Sequence, residues 1–411
     1  MPRSQRSVRN TVPAKSDHYG ESSSLAVNSA QQMADIAIVG GGIGGLCTAI
    51  GLLNRGFDPV VYEAAEELRP IGSGIGIAPN GMEALARLDV ADAVVDHGNT
   101  LDRTELQTTD ERSFMSVDLR TQSEQLGLSH VMVAIHRADL QAILSDQLPT
   151  DVLQLDMDCV SVDPDRPAIR FATGAETTPE LVIGADGVGS TVRSSLFPGA
   201  EPRYAGEVAY RGLADTSLPP ETNHIGIEIW GSGMRFGYFP LDEQVYWFAT
   251  VVATRSDDAS EVAPGELAER YQAFPDPVPD LIAMTDDADL IRTPLTDLPR
   301  LDHWSRGRAT LLGDAAHAMT PNLAQGSAQA MEDAVVLTES IADHGITQHA
   351  LSTYETRRKD RADSIVRQSR IQGRLTQIQR PILEQARNAV FRYTPDSVLR
   401  RQTKSMFAVD F

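Results

Sequence analysis

The sequence predicts an α/β chain: a parallel, helix-flanked sheet with an antiparallel sheet inserted into it, followed by C-terminal helices. Three observations lead there. The apolar run Ile36-Ala37-Ile38-Val39 passes through a glycine-rich turn into a helix-like stretch. Two later apolar runs, 181–184 and 309–312, each deliver an aspartate and then open a second helix-like stretch. Between them, residues 204 to about 300 alternate or are rich in β-formers, with glycine-containing turns. Strands alternating with helices build parallel sheets, whereas consecutive short strands build antiparallel ones.

Gly40, Gly42 and Gly45 give G-x-G-x-x-G directly after the first strand. The first glycine allows the tight turn, the second lets a pyrophosphate approach the backbone, and the third lets helix and strand pack closely. The positive end of the helix and its free N–H groups suit phosphates. The helix runs from Leu46 to Arg55 and stops at Gly56. The next strand, Val60-Val61-Tyr62, ends in Glu63, 23 residues after Gly40. An acid there accepts hydrogen bonds from a ribose and repels a 2′-phosphate. Jointly these residues specify a Rossmann-type dinucleotide site. The 18 residues from Ile36 to Leu53 carry no charge and follow a basic N-terminus, which invites a membrane-span reading. Six glycines among the 18 argue against it, and no other stretch is long and apolar enough, so no membrane insertion is expected. Residues 1–32 are polar and serine-rich and read as a disordered tail, with Met33 opening the first domain.

Composition bounds the setting. A chain of 411 residues has room for one large or two ordinary domains. Cys47 and Cys159 have neither metal-ligand spacing nor a disulfide framework, so no metal is expected and a cytoplasmic location is. A net charge of −21 argues against nucleic acid and anionic membranes as partners. Three lysines accompany 33 arginines; a halophilic source accounts for this, and so does a GC-rich genome.

Three further segments carry candidate ligand groups. In His136–Leu144, Leu140 and Leu144 share one helical face and Arg137 opens the helix, within reach of a phosphate or ribose. In Leu181–Arg193 a strand runs into Asp186-Gly187, a carboxylate and bare backbone at the sheet edge where open α/β folds bind ligands. In Arg308–Ala334 a strand delivers Gly313-Asp314 and a loop opens a long helix near Gly326, whose amides stabilise developing negative charge. His317 stands beside Asp314, in a motif that reads as structural.

With these motifs in this order, residues 34 to about 370 resemble the single-component FAD-dependent aromatic hydroxylases of the p-hydroxybenzoate hydroxylase type, in particular the salicylate hydroxylase, urate hydroxylase and zeaxanthin epoxidase branch. The resemblance implies that Gly40, Gly42, Ile43, Gly44 and Gly45 hold the FAD pyrophosphate, with Glu63 and Ala64 at the adenosine ribose. Arg137 would contact the phosphate and ribityl region. Asp186 and Gly187 would serve FAD and the nicotinamide cofactor, and Gly313 and Asp314 the ribityl chain. Pro321, Gly326, Ser327 and Ala328 would lie against the isoalloxazine. The run from Arg69 to Ile75, including Gly74, and the following Pro79-Asn80-Gly81 also look like this branch. Ala324 departs from the pattern, standing where relatives typically carry glycine.

The implied organisation is an FAD-binding part over 33–102, 135–203 and 301–352, a substrate part over 103–134 and 204–300, and a C-terminal helical segment over 353–411. The charges of that segment (Arg357, Arg358, Lys359, Arg361, Arg367, Arg370) read as a solvated helix face. Arg211 and Arg235 are candidates to meet an anionic or phenolic substrate. Tyr238 is a candidate beside an aromatic ring, Asp297 to orient Arg211, and Pro321 to serve the reacting site; each has a purely structural alternative. The implied chemistry is that of the cofactor. NADH or NADPH, docking transiently, reduces FAD, and O2 is activated as a flavin C4a-hydroperoxide that hydroxylates or epoxidises a small aromatic or electron-rich substrate. The implied assembly is a monomer or homodimer. An FAD-dependent reductase of isoprenoid-type double bonds and a non-catalytic flavin redox sensor are the alternatives.

Overall fold

Strand Ile36–Val39 has no exposed residue, as a strand covered on both faces requires. In the computed structural model, which describes residues 35–68, 73–253 and 264–411, it pairs in parallel with Pro59–Tyr62 on one side and Leu181–Gly184 on the other. The full six-stranded order is Ser305–Arg306, Ala309–Leu311, Leu181–Gly184, Ile36–Val39, Pro59–Tyr62 and Leu153–Gln154. Only the outermost Ser305–Arg306 runs antiparallel. The carboxyl ends of neighbouring strands therefore bring Gly40, Glu63, Asp186 and Gly313-Asp314 to one edge of one sheet. Helix Ile43–Leu53 packs on the long helix Gly326–His344 through small residues. A Cβ added at Gly51 would stand 2.8 Å from Thr338 Oγ1, and one at Gly44 would stand 2.7 Å from Leu312.

The second sheet has seven strands in the order Ile291–Asp297, Arg203–Ala214, Gln244–Val252, Met234–Leu241, Ile225–Trp230, Arg103–Thr108 and Ser113–Asp118. It is antiparallel except where Ile225–Trp230 meets Arg103–Thr108, which run parallel. That exception to the expected antiparallel sheet arises because Arg103–Thr108 comes from the earlier, separate segment and is not joined to its neighbour by a hairpin. Strand Met132–His136 belongs to neither large sheet. It pairs with Gly74–Ile77 and Asn99–Leu101, so the expected boundary at residue 134 cuts a continuous strand.

The two faces of the seven-stranded sheet have different partners. Phe236, Tyr238, Val245 and Trp247 share a core with Leu267, Tyr271 and Leu281, on the side of helices Pro264–Arg270 and Val278–Ala283. Phe236 and Trp247 stack there at 5.4 Å. The opposite face carries Leu213, Phe239, Tyr246 and Phe248, which cluster with Ala78, Ala134 and Ala328. Period-2 alternation makes the two sets mutually exclusive.

Three helices, Gln348–Thr376, Pro381–Arg392 and Asp396–Phe407, complete the chain. The expected solvated charge face is corrected in part: Arg357 and Arg367 are exposed, but Arg358 is 3% exposed and Lys359 is buried. Arg358 lies on the same helical stripe as the buried Tyr354, Ala362 and Ile365 and meets buried acids. Among the described residues no helix is long and apolar enough to cross a membrane. The expected N-terminal tail, 1–32, and Arg69 lie outside the described residues.

Candidate functional site

The glycine turn is shaped by contacts that side chains would break. Gly40 adopts φ +109°, and a Cβ there would lie 2.4 Å from the Ala185 carbonyl oxygen. A Cβ at Gly45 would lie 2.0 Å from the Gly40 carbonyl oxygen, which is the close helix–strand approach. Gly42 differs: among the described residues, its chain neighbours aside, nothing lies within 4 Å of its absent Cβ. It is the N-cap of helix Ile43–Leu53 and has no side-chain cap. The start of that helix therefore has no side-chain cap and room beside its N-cap, as an anion site requires. Gly44 packs against Leu312 and Ala330, so helix packing accounts for its lack of a side chain.

Glu63 is held in place. Its carboxylate accepts from the Gly41 amide at 2.6 Å and from the Ala65 amide at 3.0 Å. Val39, Gly40, Gly42, Glu63, Ala64, Asp186, Gly187 and Cys159 are among the residues around a cavity of about 390 Å3, a size that suits a nucleotide portion. Burial pushes the Cys159 thiol up to about 12, so it is an uncharged wall and not a nucleophile. Gln141 donates to the Gly41 carbonyl at 3.0 Å. It lies one helical turn after Arg137, and that i, i+4 spacing is the signal that could have found it. We expect Glu63→Ala to lower FAD affinity about tenfold by freeing the Gly41 amide and removing the ribose acceptor; flavin-fluorescence titration of apoprotein checks this.

Asp186 organises its own loop. It accepts from the Ser190 hydroxyl and, at 3.0 Å, from the Val192 amide. Burial raises its pKa, and those two bonds oppose the rise. Gly187, at φ +75°, and Gly189 both face open space. Arg193, 1% exposed, donates to the carbonyls of Val188 at 2.6 Å, Ala200 at 2.9 Å and Ala315 at 3.2 Å. It ties the Asp186 loop to the Asp314 turn. Sequence reasoning passed over it because an arginine bonded only to carbonyls leaves no acidic partner to notice.

Asp314 is exposed between the buried residues Leu312, Gly313, Ala315 and Ala316. The protein packed around its carboxyl raises its pKa, with His317, Arg137 and Arg193 opposing the rise. Among the described residues its carboxylate has no hydrogen-bond partner, which leaves it free for a ligand hydroxyl. His317 points elsewhere: its Nε2 lies 2.6 Å from Asp333 Oδ2, and both are buried. Burial alone would lower the imidazole pKa, but Asp333 outweighs it and raises the value. Asp333 also accepts from the Gly313 amide at 3.1 Å and from Arg358 Nε at 2.7 Å. Burial would raise its pKa, yet His317 and Arg358 hold it below the ordinary value.

A pH dependence follows. The His317 contribution to stability is complete below the ordinary imidazole pKa of 6.5 and is lost as pH rises through the higher folded value. The Asp333 contribution is present above the ordinary value of 3.8 and is lost as pH falls through the depressed one. Urea midpoints measured across pH should therefore fall on the alkaline side, with the slope flattened in His317→Gln.

The turn Pro321–Leu323 precedes the long helix, and Pro321 is exposed there. Ala324 sits at φ +51°, a left-handed conformation that costs a non-glycine residue about 1 kcal/mol. The departure from the family pattern thus retains the glycine-type backbone. Gly326 begins the long helix Gly326–His344, and its absent Cβ has space. Ser327 is half-buried, while Ala328 is buried against Gly81 and supports the loop from behind. Asn80, Gln325 and Glu332 are joined by buried hydrogen bonds, Asn80 donating to Gln325 at 3.0 Å and to Glu332 at 2.6 Å.

On the sheet side, Arg211 donates to Thr293 Oγ1 at 3.2 Å and stands opposite Phe248 in register, on the face that carries Tyr246. Burial raises the Tyr246 pKa, with Arg211 and Arg137 drawing it down. Tyr246 packs on Gly74, where a Cβ would lie 2.5 Å from the ring, and Ile75 follows in the strand pairing with Ile135. Arg137, which is exposed, faces this group and Asp314. Arg211 and Gly74 are therefore brought together with Tyr246, and the Arg137 amide bonds the Ser73 carbonyl beside Gly74.

Two candidates are corrected. Tyr238 is opposite Trp247 in register and so lies on the helix-covered face; burial, then Glu105 and Glu111, push it up to about 12. Asp297 does not orient Arg211. It is buried and bonded to Arg203 Nε at 2.6 Å and Arg370 Nη1 at 2.6 Å, because Arg203 and Asp297 are register partners. Burial would raise its carboxyl, but the two arginines hold it below the usual range. Arg235 is fully buried, with Thr250 at 3.1 Å and Glu228 at 3.2 Å.

The open backbone at Gly42 and Gly187, the fixed Glu63 and the unpartnered Asp314 fit a dinucleotide with a polyol linker, such as FAD, lying across the sheet edge. Comparison with known proteins agrees. Residues 33–369 match the family described as FAD binding domain. The chain is 36% identical over 334 residues to an aurachin C monooxygenase/isomerase of Stigmatella aurantiaca, covering 80% of this chain and 86% of that protein. It is 32% identical over 381 residues to a 2-heptyl-3-hydroxy-4(1H)-quinolone synthase of Pseudomonas aeruginosa, covering 90% and 97%. The solved structure of Klebsiella pneumoniae HpxO with FAD and uric acid superposes with a TM-score of 0.80 at 27% identity, covering 90% of this chain and 96% of that one.

Proposed function

The chain belongs to the FAD-dependent aromatic hydroxylases, and from that premise we propose that it hydroxylates an electron-rich, oxygen-bearing N-heteroaromatic ring at the Arg211–Tyr246 end of its sheet. FAD is its cofactor and its reaction class is monooxygenation. The observation that carries the proposal is that Arg211 shares a sheet face with Tyr246, which packs on Gly74 beside the strand that ends just before Arg137. The relatives named for a quinolone, for 6-hydroxynicotinate and for urate support the ring class.

Bound FAD supplies hydride acceptance from NAD(P)H and delivery of one oxygen atom from O2 to the substrate. The protein does the rest. Gly42, the first turn of helix Ile43–Leu53 and Glu63 bind the dinucleotide, and Asp314 holds its polyol. The amides at the start of Gly326–His344 would stabilise negative charge on a flavin held there. Arg211 stabilises negative charge on the oxygen of the bound substrate, which enriches the ring in electrons, and Tyr246 fixes the position of that arginine. Phe239 and Phe248 keep water away from the reacting atoms.

The test is anaerobic reduction of the bound flavin by NADH and by NADPH, with and without hydroxylated pyridines, quinolones and urate. Acceleration of the bleaching by a ring compound, followed in air by hydroxylated product, is the expected result. Equal bleaching with every compound opposes the proposal and favours a reductase. We expect Arg211→Ala to retain FAD, lower product yield per NAD(P)H by at least about tenfold and raise peroxide release, since a single oriented charge contributes on this scale.

A further inference from the structure

Helix Pro381–Arg392 is turned the opposite way from an ordinary surface helix, which buries its apolar stripe. Glu384, Arg387, Asn388 and Phe391 share the stripe that meets the protein. Arg387, 5% exposed, lies over the Trp230 ring at 5.1 Å and donates to the Leu375 carbonyl at 3.1 Å. Phe391 meets the Trp230 ring edge-on at 5.2 Å. The opposite stripe, at i, i+4, i+8 and i+11, is apolar and faces outward. Ile382 is 81% exposed, Val390 68% and Tyr393 78%, with the exposed Ala386 between them. Among the described residues, six of the ten exposed large hydrophobic side chains fall between Ile371 and Val398. Exposure concentrated in this way marks an interaction surface, where single scattered side chains would mean nothing.

We propose that this face is a docking surface for an anionic lipid bilayer, on which the enzyme rests by the helix without crossing it. Two observations choose that occupant. The first is charge. Exposed Arg380 and Arg392 stand at the two ends of the helix, and exposed Arg400, Arg401 and Lys404 follow in Asp396–Phe407. The net charge of −21 opposes an anionic surface for the chain as a whole, but residues 374–404 contain seven basic and two acidic residues. Acids elsewhere are screened beyond about 8 Å at physiological salt, while cations beside the apolar stripe meet the headgroups directly. The second observation is size. A helix of 12 residues is about 18 Å long and about 10 Å wide. Its outward stripe falls well short of the area of about 800 Å2 that each partner of a stable dimer buries. A bilayer asks for no more than the apolar side of one helix, sunk to the acyl boundary with arginines at the headgroups. Tyr393, at the end of the stripe, suits that boundary because its ring is apolar and its hydroxyl stays wet. The surface does not depend on which ring the enzyme hydroxylates.

The experiment is flotation of the full, FAD-loaded chain with vesicles of phosphatidylcholine alone and of equimolar phosphatidylcholine and phosphatidylglycerol, at about 0.1 M and about 1 M salt. At the lower salt the enzyme is expected to partition at least about tenfold more strongly to the anionic vesicles, and the higher salt removes most of that difference. Ile382→Ser combined with Tyr393→Ser lowers the anionic-vesicle partition at least about tenfold, through lost apolar burial. Arg380→Gln combined with Arg392→Gln lowers it by a similar factor, since each cation contributes about fivefold. Both pairs lie on the exposed surface and keep the flavin content and the NAD(P)H-driven flavin reduction of the wild type, which shows that the variants are folded. Flotation with neither vesicle, or flotation that the serine pair leaves unchanged, would overturn the proposal. So would a wild-type dimer in sedimentation velocity that binds no vesicles and that the serine pair converts to monomer, because the face would then belong to a second copy of the chain.

Discussion

The Gly42→Asp variant is expected to fold normally and to be purified without flavin. Gly42 is an N-cap at φ −75°, a conformation open to any residue, and among the described residues, its chain neighbours aside, none lies within 4 Å of where its Cβ would be. Aspartate is a favourable N-cap, so helix Ile43–Leu53 gains and does not lose stability. The same carboxylate occupies the anion site. A like charge set against phosphate costs several kcal/mol, so FAD affinity should fall at least about a hundredfold. Gly45→Ala is the contrasting variant: its methyl collides with the Gly40 carbonyl oxygen, and folding fails along with binding. Thermal unfolding of the apoproteins separates the two, since Gly42→Asp should match the wild-type apoprotein or exceed it.

The largest effect on stability is expected from Arg358→Met. Arg358 bonds Glu332, Asp333 at 2.7 Å and Gln329 Oε1 at 2.7 Å, and all four are buried. Its removal leaves two carboxylates buried with fewer partners, a situation that costs about 3–5 kcal/mol, a large share of ordinary domain stability. Asp333 also holds the Gly313 amide and His317, so flavin retention should weaken too. Arg357→Met removes a neighbouring, more exposed pair with Glu339 and should cost under about 1 kcal/mol. Urea denaturation of both variants checks the difference. Equal, small losses would mean that the buried network is dispensable.

Much of this arrangement is legible in the sequence because it is local. A strand, a turn and a helix start occupy consecutive residues at Gly40, Asp186 and Asp314, and parallel pairing alone brings their ends together. What was not legible depends on register between distant segments. Alternation tells which residues of Met234–Leu241 share a face, but not which face meets the nucleotide side; that required the pairing of Tyr238 with Trp247. Hence Tyr238 was an attractive candidate and Tyr246 was overlooked. Asp297 was misread for the same reason, since its partners Arg203 and Arg370 are 94 and 73 residues away. The inward charges of Gln348–Thr376 were more nearly readable, because Arg358 falls on the helical stripe of Tyr354 and Ile365. An arginine on an apolar stripe calls for a buried acid, and Glu332-Asp333 was available.

The central claim, that this cleft uses FAD to place one oxygen atom from O2 on a substrate ring, is tested most directly by turnover under 18O2 with NAD(P)H and the ring compound that most accelerates flavin reduction. One labelled oxygen is expected in each product molecule, and none when the label is in water. Product formed equally well without O2, or carrying oxygen from water, would contradict it.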